Sequence, residues 1–203
     1  AAMSDMDRFV DAGITTFDCA DIYTGVEDLI GRWLRRRRAR PGAAAVQVHT
    51  KYVPDPGALP PHSRADVVGG IDRSLKRLGV ESLDLVQLHW WDYDVPGYVA
   101  AAQWLAEQRR AGKIRHLGLT NFDRARLDEL AAAGIPLVSH QVQYSLLDRR
   151  PAGAMTAACA GHGIGLLCYG ALAGGFLSDR YLGSPAPEEP LENRSLTKYR
   201  LII

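Results

Sequence analysis

The chain has 203 residues, with 24 Lys+Arg against 23 Asp+Glu, 47% hydrophobic and 23% charged residues. A formal charge of +1 leaves no global field to draw nucleic acid, a membrane surface or an acidic partner. The composition is that of a globular domain, no apolar run approaches the ~20 residues of a membrane span, and the N-terminus lacks the basic-then-apolar form of a signal peptide.

In chain order, the first helix is expected from a Ser4-x-x-Asp7 capping pattern through Phe9 and Val10 to Gly13. A strand follows at 14–20. Val26, Leu29, Ile30, Trp33 and Leu34 have helical spacing and lead to a strand at 46–51. A loop with Pro54, Pro56, Pro60 and Pro61 precedes a helix that Ser63 caps and that carries Val67, Ile71, Leu75 and Leu78 on one face. Then come a strand at 83–89, a helix over 98–111 stopped by Gly112, and a strand at 114–121. A helix capped by Asp123 and stopped by Gly134 leads to a strand at 137–144. Pro151 suits the first turn of another helix, and 164–169 is a sixth strand. Beyond Phe176 neither helix nor strand signals persist, and 183–190 is a Pro-rich loop. Strand and helix alternate, which calls for a parallel sheet covered by helices.

An open doubly wound sheet buries both faces of its central strands, which should then be apolar on both. Here Gln47, His49 and Lys51 share one face while Val46 and Val48 share the other, and Gln87 and His89 oppose Val86 and Leu88. Gln141 and Gln143 likewise oppose Val142. One apolar and one polar face fits a closed (β/α)8 (TIM) barrel with chemistry near its mouth. The cluster Gly161-His162-Gly163-Ile164-Gly165 precedes a strand, so it is a helix stop rather than a dinucleotide fingerprint.

In such a barrel the C-terminal strand ends hold the active site. Those ends carry Asp18, with Tyr23 just beyond, Lys51, His89, Thr120-Asn121, Gln141 and Tyr169. A nearby lysine favours a tyrosine's phenolate and lowers its pKa, Asp18 supplies the counter-charge such a lysine needs in a pocket, and a neutral His89 can donate to a carbonyl oxygen. The set suits protonation of an oxygen on which negative charge develops.

The segment Gly13-Ile14-Thr15-Thr16-Phe17-Asp18-Cys19-Ala20-Asp21-Ile22-Tyr23 resembles the opening motif of the aldo-keto reductases, with Cys19 at the usual Thr or Ser. Ser74-Leu75-Lys76-Arg77-Leu78-Gly79, continuing through Leu83-Asp84-Leu85 to Leu88-His89-Trp90, is similar to the family's second signature. Gly112-Lys113-Ile114-Arg115-His116-Leu117-Gly118-Leu119-Thr120-Asn121-Phe122 is similar to its third. The resemblance implies NADPH-dependent reduction of an aldehyde or ketone, with NADH left open as the alternative donor and a small carbonyl compound as substrate. It implies a tetrad of Asp18, Tyr23, Lys51 and His89, in which Tyr23 is the general acid, Lys51 with Asp18 tunes it and His89 orients the carbonyl. It further implies a cofactor site with Asp18, Thr120, Asn121 and Gln141 near the nicotinamide carboxamide and Tyr169 stacked on the ring. By the same resemblance Gly170, Leu172 and Gly174 would belong to the loop that carries the pyrophosphate, where glycines let amides approach an anion.

The family's barrel has eight strands, whereas this chain shows about six βα units in one domain over 1–203, with a piece missing at each end. A fragment of a longer polypeptide is the favoured explanation, beside completion by partner chains and a truncated inactive relative, and weak or undetectable cofactor binding is expected of the 203 residues alone. A nucleotide-binding regulatory subunit without turnover is the alternative function. Cys19, Cys159 and Cys168 show neither CxxC nor metal-ligand spacing, so a reducing, cytoplasmic setting and no metal are expected. Cys19 alternates away from Asp18 and should pack behind the strand. The run Arg35-Arg36-Arg37-Arg38 ends a helix, where cations oppose the macrodipole, so a solvated helix end is expected there rather than a nucleic-acid site. His49, His116, His140 and His162 are expected in structural or exposed roles. Trp90 and Trp91 are divided between wall and core.

Overall fold

In the computed structural model, which describes residues 2–59, 62–185, 191 and 194–202, six strands pair in parallel and in chain order: β1 (Thr16–Asp18), β2 (Gln47–Tyr52), β3 (Leu83–Leu88), β4 (Ile114–Thr120), β5 (Leu137–Gln143) and β6 (Gly165–Tyr169). The sheet curls into an arc of a barrel, with α1 (Ala2–Asp11), α2 (Val26–Arg38), α3 (Arg64–Leu78), α4 (Tyr98–Arg110), α5 (Arg124–Ala132) and α6 (Ala154–Gly161) alternating with its strands. The hydrophobic core lies between sheet and helices. Val48, Val86, Leu88, Leu117 and Leu119 from the strands join Trp33, Val67, Ile71, Leu105, Leu127 and Leu130 from the helices. The opposite face carries the row Lys51, Gln87, Gly118 and Ser139, matched residue to residue across four strands. A Cβ at Gly118 would come within 2.3 Å of Ser139 Oγ, so a side chain there would displace that hydroxyl. The period-two alternation of polar and apolar residues thus becomes an inner face for chemistry and an outer face for packing.

The helix signals hold where side chains cap. Ser63 and Asp66 form a capping box on α3, and Asp123 accepts the Arg126 amide on α5. Four expectations change. Strand β1 is shorter than 14–20. Ser4 lies inside α1 rather than capping it, and Asp7 instead ties α1 to α2, accepting from Trp33 Nε1 at 2.9 Å, Arg36 Nη2 at 2.6 Å and Arg40 Nη2 at 3.3 Å. The arginine run ends α2 with Arg35, Arg36 and Arg38 exposed, as expected of a solvated helix end, while Arg37 is buried and Arg36 and Arg37 also reach Asp7. Pro151 sits in the turn ahead of α6, which starts after Gly153. The tail, expected without regular structure, forms a further helix, α7 (Arg194–Arg200). Pro60, Pro61 and the 186–190 part of the expected loop lie outside the described residues.

Helices α2 and α3 touch through Gly31, where a Cβ would sit 2.1 Å from the Arg77 carbonyl oxygen. In an open helix Gly to Ala gains about 1 kcal/mol, but overpacking against backbone costs about 1–3 kcal/mol or more. Because the obstacle is main chain, Gly31→Ala should lower stability by about 2 kcal/mol. Urea unfolding checks this, and an unchanged or raised midpoint would refute the contact.

Candidate active site

The strand ends converge on a cavity of about 380 Å3 lined by Asp18, Ala20, Ile22, Tyr23, Lys51, Val53, His89, Trp91, Thr120, Asn121, Gln141, Tyr169 and Lys198. All four tetrad candidates line it, and so do Thr120, Asn121, Gln141 and Tyr169. Its volume is in the range of small-molecule sites.

Lys51 is buried and donates to Asp18 Oδ2 at 2.5 Å and to the Cys19 carbonyl at 2.8 Å. The other Asp18 oxygen accepts from Gln87 Nε2 and Gln141 Nε2, each at 3.0 Å. The Asp18 carboxylate is therefore the hub that joins β1, β2, β3 and β5 at the cavity floor. Tyr23 stands on the loop between β1 and α2, 47% exposed, with Lys51 Nζ 5.8 Å from its ring centroid. Burial, and then the charge of Asp18, push its phenol above the ordinary tyrosine value. This reverses the expectation that Lys51 lowers it, because the ammonium is drawn down onto Asp18 and the Cys19 carbonyl. Burial holds the His89 imidazole below its usual value, partly offset by a hydrogen bond to the Thr120 backbone. At neutral pH the ring is uncharged and keeps one N–H that can donate to a substrate carbonyl. Trp91 stands edge-on to His89 at 4.6 Å and is fixed by donation to the Pro54 carbonyl at 2.7 Å.

Asn121 has a left-handed backbone, φ 62, which asparagine tolerates better than most residues. Its amide donates to the Gln141 carbonyl at 2.9 Å, its carbonyl accepts from Tyr93 Oη at 3.1 Å, and its Oδ1 accepts from Tyr169 Oη at 2.8 Å. That leaves its NH2 group as a donor that could serve a ligand. After β6, Gly170 and Gly174 have positive φ and Leu172 is 64% exposed. The space these two glycines leave is taken by the Tyr199 ring of α7. Among the described residues the Ala171 and Leu172 amides make no backbone hydrogen bond, so this loop still offers donors to an anion.

Several participants carry no sequence signal of their own. Buried Glu27 accepts from Thr50 Oγ1 at 2.8 Å and from Arg77 at 3.2 Å, and Arg77 also donates to the Asp21 carbonyl at 2.9 Å. Asp21 accepts from the Val53 amide, and burial pushes its carboxyl up to about 6. These groups clamp the loop that bears Tyr23. Asp148 is buried between Gln143 and a two-point pair with Arg150. Cys19 is packed behind the strand, and burial pushes its thiol up to about 12. Trp90 belongs to the core, whereas Trp91 belongs to the cavity wall. His140 is buried and accepts the Phe122 amide, while His162 is exposed beside Asp128. Among the described residues no cluster of three His, Cys, Asp or Glu could hold a metal ion, and no helix is long and apolar enough to cross a membrane.

The model of the aldo/keto reductase family matches residues 1–202. Flagellar radial spoke protein 5 of Chlamydomonas reinhardtii is 32% identical over 83% of this chain and 38% of its own length. The aldo-keto reductase yakc (NADP(+)) of Schizosaccharomyces pombe is 33% identical over 84% of this chain and 52% of its own. Among solved structures, an aldo-keto reductase from Bacillus halodurans in its holo form has a TM-score of 0.76 at 29% identity, covering 98% of this chain and 66% of that one. An aldo/keto reductase from Klebsiella pneumoniae in complex with NADP and acetate has a TM-score of 0.72 at 27% identity, covering 87% of this chain and 60% of that one. The chain spans about half, or less, of the length of these curated relatives.

Proposed function

The chain belongs to the aldo/keto reductase family, and from that premise we propose that it forms the catalytic half of an NADPH-dependent reductase of small aldehydes or ketones. The observation that carries this reading is the single cavity lined by Asp18, Tyr23, Lys51, His89, Asn121, Gln141 and Tyr169. The dinucleotide, when bound, supplies hydride to the carbonyl carbon. Asn121 and Gln141, with Thr120 behind them, hold its carboxamide, Tyr169 backs its ring, and the amides of the Gly170 to Gly174 loop suit its phosphates. Tyr23 gives its proton to the carbonyl oxygen as negative charge develops there. Lys51 offsets the Asp18 charge that would otherwise make Tyr23 a still weaker acid. His89 and Trp91 border the space in which the carbonyl is oriented, and Ile22 and Val53 supply apolar wall.

Three free cysteines, two of them buried, support a reducing, cytoplasmic setting. A second reading is a regulatory subunit whose pocket binds nucleotide without turnover; one relative is named as a component of the flagellar radial spoke, an assembly rather than a free enzyme by that name. NADPH consumption with a panel of aldehydes, in the polypeptide that carries these residues, separates the two. Carbonyl-dependent loss of NADPH absorbance is the expected result, and its absence beside intact NADPH binding selects the second reading.

A further inference from the structure

Seven residues make too short a helix to stand alone, yet α7 is docked on the loop that follows β6, with Leu196 and Tyr199 buried. The Tyr199 ring seats in a notch that exists because two residues lack side chains. A Cβ at Gly170 would come within 2.6 Å of Tyr199 Cε1, and one at Gly174 within 2.6 Å of Cδ2. This latch brings the preceding residue to the cavity. Lys198 Nζ lies 3.4 Å from Tyr169 Oη and 4.8 Å from the centroid of that ring.

Lys198 lines the tetrad cavity and also a neighbouring one of about 510 Å3 that shares Asn121 and Tyr169 with it, so the ammonium stands at their junction. Of the nearby cations, Lys51 is committed to Asp18 and Arg150 to Asp148. Lys198 forms no salt bridge among the described residues, and its contacts are a phenol oxygen and aromatic faces. A charge-assisted bond to an oxyanion is stronger than either contact.

On the reading of this cavity as the cofactor and carbonyl site, we propose that Lys198, held in place by the Tyr199 latch, binds an oxyanion of the ligand there. That oxyanion is a phosphate of the dinucleotide, or a carboxylate or phosphate on the carbonyl substrate.

Calorimetric titration of the full polypeptide distinguishes the sources, with NADPH and inorganic pyrophosphate on one arm and 4-carboxybenzaldehyde against benzaldehyde on the other. Lys198→Met should weaken binding about tenfold, the scale of one screened ionic hydrogen bond. The loss should fall on NADPH and pyrophosphate if the phosphate is the ligand, or on the carboxylated aldehyde alone if the substrate is. Tyr199→Ala should give the same loss with Lys198 still present, since it frees α7. Unchanged affinity for every probe, or no binding of any probe to the parent protein, overturns the proposal. So does tighter NADPH binding by Lys198→Met, which would make the ammonium a screen over the Tyr169 face. Tyr23→Phe serves as the control: loss of its turnover with the Lys198 effect intact, or the reverse, tells failure of the catalytic reading from failure of this one.

Discussion

Tyr23→Phe should reduce NADPH-dependent carbonyl reduction by about 10^3-fold, within the range of a general acid removed from its transition state. The substitution deletes one oxygen and keeps the ring that Lys51 faces at 5.8 Å, so the thermal midpoint should stay close to that of the parent and NADPH binding should persist. A fall in kcat with the dissociation constant of NADPH unchanged is the expected pattern, and equal rates for the two proteins would remove Tyr23 from the chemistry. The pH profile gives a second readout. Burial and Asp18 hold the Tyr23 phenol above its ordinary value, so its acid form persists to higher pH and the reduction rate should decline only beyond the usual tyrosine range. Burial holds His89 below its ordinary value, so that ring is already neutral at pH 7 and should add no step between neutral and alkaline pH. An alkaline fall near neutrality would contradict both directions.

What could be read from the amino acids was what repeats along the chain or sits at a strand end. Lys51, Gln87 and Gln141 alternate with Val48, Val86 and Val142, and that alternation alone separates a barrel interior from a face packed on helices. Asp18, His89 and Thr120-Asn121 were legible because they close such strands and because three motifs stand in the family's order. Long-range pairings were not. Asp7 reads as part of a local cap, yet its partners are Trp33 and Arg36 on the next helix and Arg40 just beyond its end. Glu27, in the first turn of α2, carries no motif, yet it is buried and joins Thr50 to Arg77. Helix α7 offers only Leu196 and Tyr199 as apolar anchors, and their dock is a notch whose two glycines lie more than twenty positions earlier. Periodicity reports the face a segment buries, whereas the partner on that face is set by tertiary register. The direction of the Tyr23 shift was misread for the same reason. Motif proximity put Lys51 beside the phenol, while the geometry spends its hydrogen bonds on Asp18 and the Cys19 carbonyl.

Lys51→Met should lower kcat for carbonyl reduction by about 100-fold, a loss typical of one charged group in a preorganised site. Methionine keeps the length and apolar stem of the side chain but removes the donor to Asp18 Oδ2 and to the Cys19 carbonyl. Asp18 retains Gln87 and Gln141 as donors, and its side chain is 41% exposed, so solvent screens the charge left behind. Stability should accordingly fall by only about 1 kcal/mol, well short of a fully buried broken pair. The catalytic loss has a different origin. With the ammonium gone, the Asp18 charge acts on Tyr23 unopposed, raises the phenol further and makes it a poorer acid. The alkaline limb of the rate profile should therefore move up as kcat falls. The double variant Asp18→Asn, Lys51→Met removes the unopposed charge together with its partner, so its loss should be smaller than the product of the two single losses, the sign of a coupled pair. Strict multiplication of the two losses, or a Lys51→Met rate within about threefold of the parent when about 100-fold is expected, would mean that Lys51 supports the fold of the β2 end without tuning the acid.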